Sequence, residues 1–74
     1  MRVRLFGLIA EKAGSEFMDA EAPSVEALRA RLAERIVGLE ALSYAIAVDR
    51  VIIRDDAPLT GSEEIAVLPP FAGG

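Results

Sequence analysis

The feature that most constrains the fold is one amphipathic helix lying between stretches of strand character. Four apolar residues recur at the spacing that places side chains on one helical face: Val25, Leu28, Leu32 and Ile36. Ser24 is a suitable N-cap, Glu26 suits the positive end of the helix dipole, and Gly38 favours termination. The sequence therefore predicts a single main helix over about residues 24–37.

Alternating apolar and polar residues on both sides of this helix predict five strands. They cover residues 2–9, 15–22, 44–48, 51–54 and 64–68, and residues 10–14 are expected to form a helical turn or loop. The first two strands should pair as an antiparallel hairpin. Pro69 and Pro70 should end the last strand, because proline donates no hydrogen bond to a ladder. The order predicts an α+β roll, a mixed sheet with one main helix packed across it.

Strand alternation also predicts which side chains share each face of the sheet. The four helix residues should pack on Val3, Leu5, Val51, Ile53, Ile65 and Val67. Phe6, Ile52 and Leu68 fall on the opposite face, one from each of three strands that we expect to be neighbours. Exposed apolar patches usually mark partner sites, so these three residues are predicted to bind a partner protein. The predicted patch continues into Pro69, Pro70, Phe71, Ala72 and Gly73.

Composition excludes several classes of function. The chain has neither cysteine nor histidine, which removes disulfides, the usual zinc ligands and the usual general base. Its net charge is −4, with seven arginines and a single lysine, which argues against nucleic-acid binding. The apolar runs are too short to span a membrane and no signal peptide is evident, so a cytoplasmic location is expected. The carboxylate pairs at residues 55–56 and 63–64 are interpreted as solvated turns, and no metal site is predicted.

The last four residues are the best candidate for chemistry. A domain over residues 1–70 is predicted to carry a tail over residues 71–74, which ends in Gly73 and Gly74. An extended Gly-Gly passes through channels too narrow for side chains, and the tail would reach roughly 13 Å. The Gly74 carboxylate, with an unperturbed pKa of about 3.3–3.7, is ionised at neutral pH and could attack the α-phosphate of ATP. Taken alone, a terminal Gly-Gly is a weak signal, and a frayed glycine-rich end is the better explanation of it.

Three segments carry a resemblance to a known family. They read Ala47-Val48-Asp49-Arg50, then Asp56-Ala57-Pro58-Leu59, then EIAVLPPFAGG over residues 64–74. In this combination the chain resembles the small subunit of molybdopterin synthase, and the first strand and residues 23–28 extend the resemblance over nearly the whole chain. It departs from the family pattern at Asp49, where asparagine is usual, at Leu68, where an aromatic is usual, and at Phe71, where valine is usual.

The resemblance implies a ubiquitin-like β-grasp fold and a sulfur carrier that is not catalytic alone. An adenylyltransferase related to the ubiquitin-activating enzymes would use ATP to adenylate Gly74, and a sulfur donor would convert it into a thiocarboxylate. The large synthase subunit would bind the loaded tail in a heterotetramer. There the sulfur would pass to a cyclic pyranopterin precursor during molybdenum cofactor biosynthesis. The chain itself would bind no cofactor.

Three other interpretations stay open at this point. The first is a sulfur carrier of the same fold that serves thiamine thiazole synthesis. The second is a non-catalytic ubiquitin-like module that docks through its sheet. The third is a protein that becomes conjugated to lysines.

Overall fold

The computed structural model describes residues 1–69 as five strands, two α-helices and one 3₁₀ turn. The strands are β1 (Arg2–Leu5), β2 (Phe17–Asp19), β3 (Ala45–Val48), β4 (Val51–Ile53) and β5 (Ile65–Leu68). The helices are α1 (Gly7–Ala13) and α2 (Val25–Arg35), and the 3₁₀ turn covers Leu39–Ala41. Neither α-helix in this part of the chain is long and apolar enough to cross a membrane.

All five strands belong to one mixed sheet in the order β2-β1-β5-β3-β4. The first and last strands pair in parallel at its centre, with Val3 opposite Ile65 and Leu5 opposite Val67. The other neighbours are antiparallel, as in the two hairpins β1–β2 and β3–β4. This is the predicted α+β arrangement, with the main helix packed on a mixed sheet. Its consequence is that the chain leaves the sheet from the central strand.

The first strand is shorter than predicted. It was expected to cover residues 2–9, but β1 ends at Leu5 and α1 begins at Gly7. Gly7 has a φ of 54°, which turns the chain out of the strand direction. Ile9 then enters the core from a helix. Gly14, with a φ of 77°, ends α1 by donating its N–H to the carbonyl of Ala10.

The main helix begins as predicted and ends two residues early. The Ser24 hydroxyl accepts a hydrogen bond from the N–H of Ala27 at 3.2 Å, which makes Ser24 the N-cap. The chain leaves the helical conformation at Ile36, whose backbone is extended although its side chain stays buried. Val37, predicted to be helical, is 87% exposed.

The predicted core is largely confirmed. Eight of its ten residues are almost completely buried: Val3, Leu5, Val25, Leu28, Leu32, Ile36, Ile65 and Val67. Ile53 is partly buried against them. The prediction for Val51 is wrong: it starts the edge strand β4 and its side chain is 60% exposed. Ile46 takes the central place on this side, between Ile53 and Val67.

Replacing Leu28 with alanine should lower the free energy of unfolding by about 2–5 kcal/mol, because the substitution leaves a cavity in a closely packed core. The matched control is Val37→Ala at an exposed site, which should change that free energy by less than about 0.5 kcal/mol. Urea-induced unfolding followed by circular dichroism measures both. Equal effects of the two substitutions would contradict the packing of α2 against the sheet.

Candidate partner-binding face and tail exit

The face of the sheet opposite α2 contains a depression of about 680 Å³. Strand alternation brings Arg2, Arg4 and Ala66 to this face, since their neighbours Val3, Leu5, Ile65 and Val67 point into the core. We call it the arginine–aromatic depression and define it by Arg2, Arg4, Phe6, Phe17, Ala66 and Leu68. Arg50, Glu63 and Glu64 also line it.

The structure brings together only part of the predicted apolar patch. Phe6 and Leu68 both line the depression and both are half-buried. Phe6 is not in a strand, because β1 has already ended; it occupies the N-cap position of α1. Ile52 is 41% exposed but lies on β4, which β3 separates from β5. The expectation of three residues on neighbouring strands is therefore wrong, and Ile52 is not among the residues that line the depression.

Two arginines that sequence reasoning did not single out dominate the depression. The guanidinium carbon of Arg2 lies 4.0 Å from the ring centroid of Phe17. That of Arg4 lies 4.9 Å from the Phe6 centroid and 5.7 Å from the Phe17 centroid. These distances are typical of cation–π contacts. The alternation of residues 2–5 predicts that both arginines lie on the face opposite Val3 and Leu5, so their position could have been inferred from the sequence.

The exit of the chain from β5 is fixed by a close contact between Pro69 and Gly7. A Cβ atom added to Gly7 would lie 3.1 Å from Cγ of Pro69, closer than ordinary van der Waals contact. The N–H of Phe6 donates to the carbonyl of Val67 at 3.2 Å, which prolongs the pairing of β1 with β5. Gly7 thus has a role that its isolated position in the sequence did not indicate. Pro69, predicted to contact a partner, is half-buried and directly follows Leu68, which lines the depression.

The remaining predicted site residues are Pro70, Phe71, Ala72, Gly73 and Gly74. They lie outside the residues that the structure describes, as does the predicted tail over residues 71–74. The described chain ends at Pro69, one residue after the central strand β5. The point from which these five residues continue is therefore next to Leu68 and Phe6.

Three of the four residues in the acidic pairs, Asp56, Glu63 and Glu64, make hydrogen bonds or an ion pair within the described residues. Asp56 accepts hydrogen bonds from the N–H groups of Glu26 and Ala57, both at 2.9 Å, and so caps α2 from a distant loop. Glu64 pairs with Arg50 at 3.4 Å. Within residues 1–69 no three histidine, cysteine or acidic side chains are grouped as a metal would require.

Glu63 closes the turn before β5. Its carboxylate accepts from the N–H of Thr60 at 2.7 Å, the Thr60 hydroxyl at 3.1 Å and the N–H of Gly61 at 2.9 Å. The backbone hydrogen bond from Thr60 is the main cause that lowers the pKa of Glu63 from about 4.5 to about 2. The charged form of Glu63 therefore stabilises the turn.

Comparison with known proteins assigns the family. Residues 3–74 match the model of the ThiS family. The chain is 32% identical over 80 residues to the molybdopterin synthase sulfur carrier subunit of Escherichia coli (strain K12), in an alignment that covers 100% of this chain and 99% of the relative. The chain belongs to the ThiS family. The resemblance to molybdopterin synthase small subunits, based on the loop and tail motifs, is confirmed.

Solved structures agree on the fold. In the protein–protein complex of subunits 1 and 2 of molybdopterin-converting factor from Helicobacter pylori 26695, the similar chain is 35% identical with a TM-score of 0.73, covering 99% of this chain and 96% of that one. Small archaeal modifier protein 1 from Methanosarcina acetivorans matches at 24% identity and a TM-score of 0.84, covering 99% and 94%. The Haloferax volcanii protein of the same name matches at 19% identity and 0.75, covering 99% and 97%. These confirm the ubiquitin-like β-grasp fold.

Alanine at Gly7 should destabilise the protein more than alanine at Gly14. Both glycines have a positive φ, so each substitution incurs the cost of about 1–2 kcal/mol that an L-residue pays in the left-handed region. Only at Gly7 does the new methyl group also meet Pro69, since nothing lies within 4 Å of a Cβ at Gly14. Thermal unfolding measures both variants. The additional loss of stability at Gly7 should disappear when Gly7→Ala is made in a Pro69→Ala background. Equal losses of stability for the two glycine variants would contradict a close contact between residue 7 and Pro69.

Glu63→Gln should make the free energy of unfolding fall less steeply as the pH is lowered. The pKa of Glu63 is lower in the folded than in the unfolded chain, so its stabilisation is complete above about pH 4.5 and is lost as the pH falls toward about 2. The variant lacks this contribution at neutral pH and has none to lose on acidification. Urea unfolding at about pH 7 and about pH 2.5 measures the difference. The control is Glu34→Gln, at an exposed carboxylate on α2; an acid dependence for Glu63→Gln identical to that of this control would contradict the assignment.

Proposed function

We propose that this chain is the sulfur-carrying small subunit of molybdopterin synthase, with the Gly74 carboxylate as its working group. The observation that carries the proposal is the full-length similarity to the Escherichia coli sulfur carrier subunit, together with the terminal Pro-Pro and Gly-Gly motifs. The 35% identity to a chain of the Helicobacter pylori complex supports a large-subunit partner. The tail of residues 71–74 and the domain of residues 1–70 would then have separate roles, chemistry and recognition.

The first step on this proposal is activation of Gly74. A ubiquitin-activating-like adenylyltransferase binds ATP, and a Gly74 carboxylate oxygen attacks the α-phosphate while pyrophosphate leaves. The acyl adenylate has AMP as a good leaving group. A donor that supplies sulfur at the oxidation level of sulfide then attacks the acyl carbon, the C–O bond to AMP breaks, and a C–S bond replaces it to give the thiocarboxylate and free AMP. The chain needs no catalytic side chain for these steps, which suits a sequence with neither cysteine nor histidine.

The second step is delivery of sulfur to the pyranopterin precursor within the large subunit. Residues 71–74 would extend roughly 13 Å beyond the domain, long enough to enter a pocket of a partner while the domain stays outside. The absence of side chains on Gly73 and Gly74 suits a narrow channel. Acid–base groups and the precursor site belong to the large subunit on this proposal. Phe6, Leu68 and Pro69 are its expected contacts on the domain, continued by Pro70 to Gly73.

The anchoring of the chain at Pro69, the last described residue, supports this division of labour. β5 is the central strand and its end is anchored through the Phe6–Val67 hydrogen bond and the Gly7–Pro69 contact. An arm that starts at a fixed point delivers its end with less entropic cost than one that starts in a loose segment. The adjoining depression offers a surface where the partner can bind the domain.

Deletion of Gly74 should abolish both adenylation and sulfur transfer while the domain stays folded. The deletion leaves the carboxylate one residue short, and an added alanine after Gly74 should fail as well because its methyl group would enter a channel that admits only glycine. The assays are ATP–pyrophosphate exchange with the cognate adenylyltransferase, and conversion of the pyranopterin precursor with the large subunit. Val37→Ala, at an exposed site remote from β5, is the control that should keep wild-type rates.

A chemically prepared Gly74 thiocarboxylate adds a second arm to this test. It should support conversion of the precursor by the large subunit without ATP or the adenylyltransferase. Adenylation without any conversion of the precursor would favour the thiazole-pathway carrier. Wild-type conversion by the Gly74 deletion would contradict the carrier function and leave the non-catalytic binding module as the explanation.

A further inference from the structure

The arginine–aromatic depression concentrates unneutralised positive charge on one face of an acidic protein. The chain carries a net charge of −4, yet within residues 1–69 neither Arg2 nor Arg4 takes part in an ion pair. The ion pairs of this region join the amino terminus to Glu21 and Arg50 to Glu64. The acidic residues that line the depression have partners other than Arg2 and Arg4: Glu64 pairs with Arg50, and Glu63 accepts from the Thr60 turn.

Stacking on aromatic rings holds the two guanidinium groups in place. Arg2 lies over Phe17, and Arg4 lies between Phe17 and Phe6. A guanidinium that stacks by its face keeps its N–H donors at the edge, where they can form the paired hydrogen bonds that carboxylates accept. Because the side chains are already restrained, less rotamer entropy is lost when a partner binds. As residues i and i+2 of a strand, their Cα atoms lie about 7 Å apart and their side chains share one face of the sheet.

We propose that the arginine–aromatic depression binds carboxylates on an acidic segment of the large subunit that receives the tail, with Arg2 and Arg4 as the specific contacts. This inference depends on the proposed function. The depression shares Phe6 and Leu68 with the point where the chain leaves the domain, so a protein that takes up the tail also covers the arginines. The carboxylates of Glu63 and Glu64, which line the same depression, disfavour a nucleotide with several negative charges more than they disfavour single carboxylates of a protein.

The test compares two double variants that remove the same charge. Arg2→Gln/Arg4→Gln alters the depression, whereas Arg31→Gln/Arg54→Gln removes two exposed arginines that do not line it. Surface plasmon resonance with the large subunit from the same organism measures association rates at about 20 mM and about 300 mM salt, where screening differs strongly. At low salt the first variant should associate about tenfold more slowly than wild type, and the second within about twofold. At high salt the difference should largely vanish.

Several outcomes would overturn the proposal. Equally reduced association rates for both double variants would show that the effect comes from net charge alone. A second contrary result combines two variants. If Arg2→Gln/Arg4→Gln binds with wild-type kinetics and salt dependence while Leu68→Asp abolishes binding, the arginines lie outside the interface and the proposed function stands. Saturable shifts of the Arg2 and Arg4 Nε–H resonances with AMP or inorganic phosphate alone would make the depression a small-anion site. Failure of the wild-type chain to bind the large subunit at either salt concentration would overturn the proposed function as well.

Discussion

The parallel pairing of β1 with β5 is the constraint on which the rest of the structure depends. It joins the two ends of the chain, with Val3 opposite Ile65 and Leu5 opposite Val67, and all four side chains are buried. Parallel strands cannot be joined by a tight turn, so the intervening chain must cross over the sheet, and α2 covers one face in doing so. The same pairing leaves the other face open and brings the end of the last strand to the centre of the molecule. The open face and the exit of the tail are thus consequences of one pairing.

The loop motif that resembles molybdopterin synthase small subunits proves to be a structural device. Asp56 caps α2 through the N–H of Glu26, while Leu59 is buried and its N–H donates to the carbonyl of Pro23 at 2.9 Å. Asp49 and Arg50 both adopt a positive φ in the two-residue turn between β3 and β4, a conformation that asparagine and aspartate tolerate better than other non-glycine residues. The resemblance in these segments therefore reflects residues that stabilise the fold. Within the resemblance, the terminal Gly-Gly is the part on which the proposed chemistry depends.

Periodicity predicted the elements whose side chains alternate between core and solvent over several residues. The stripe on α2 and the inward residues of β1 and β5 are examples, because each has only one buried face. The end of β1 was missed because Leu8 and Ile9 fit a strand as well as a helix, and only the positive φ of Gly7 decides between them. Val51 was placed on the correct side of the sheet, but the pattern within one strand cannot show that the strand lies at an edge. Strand order, and hence the separation of Ile52 from Leu68, depends on long-range pairing.

The same geometry bears on how the carrier would pass between partners. On the proposed function two proteins, the adenylyltransferase and the large subunit, must each take up the tail that continues from Pro69. Because one tail can enter only one partner at a time, the two proteins take turns, and each meets the domain near Leu68, which lines the depression. Transfer then requires release from one partner before capture by the next, which disfavours a large apolar interface with slow dissociation. Exposed arginines on a small, partly apolar surface suit this requirement, because charge complementarity raises association rates more than it strengthens final affinity.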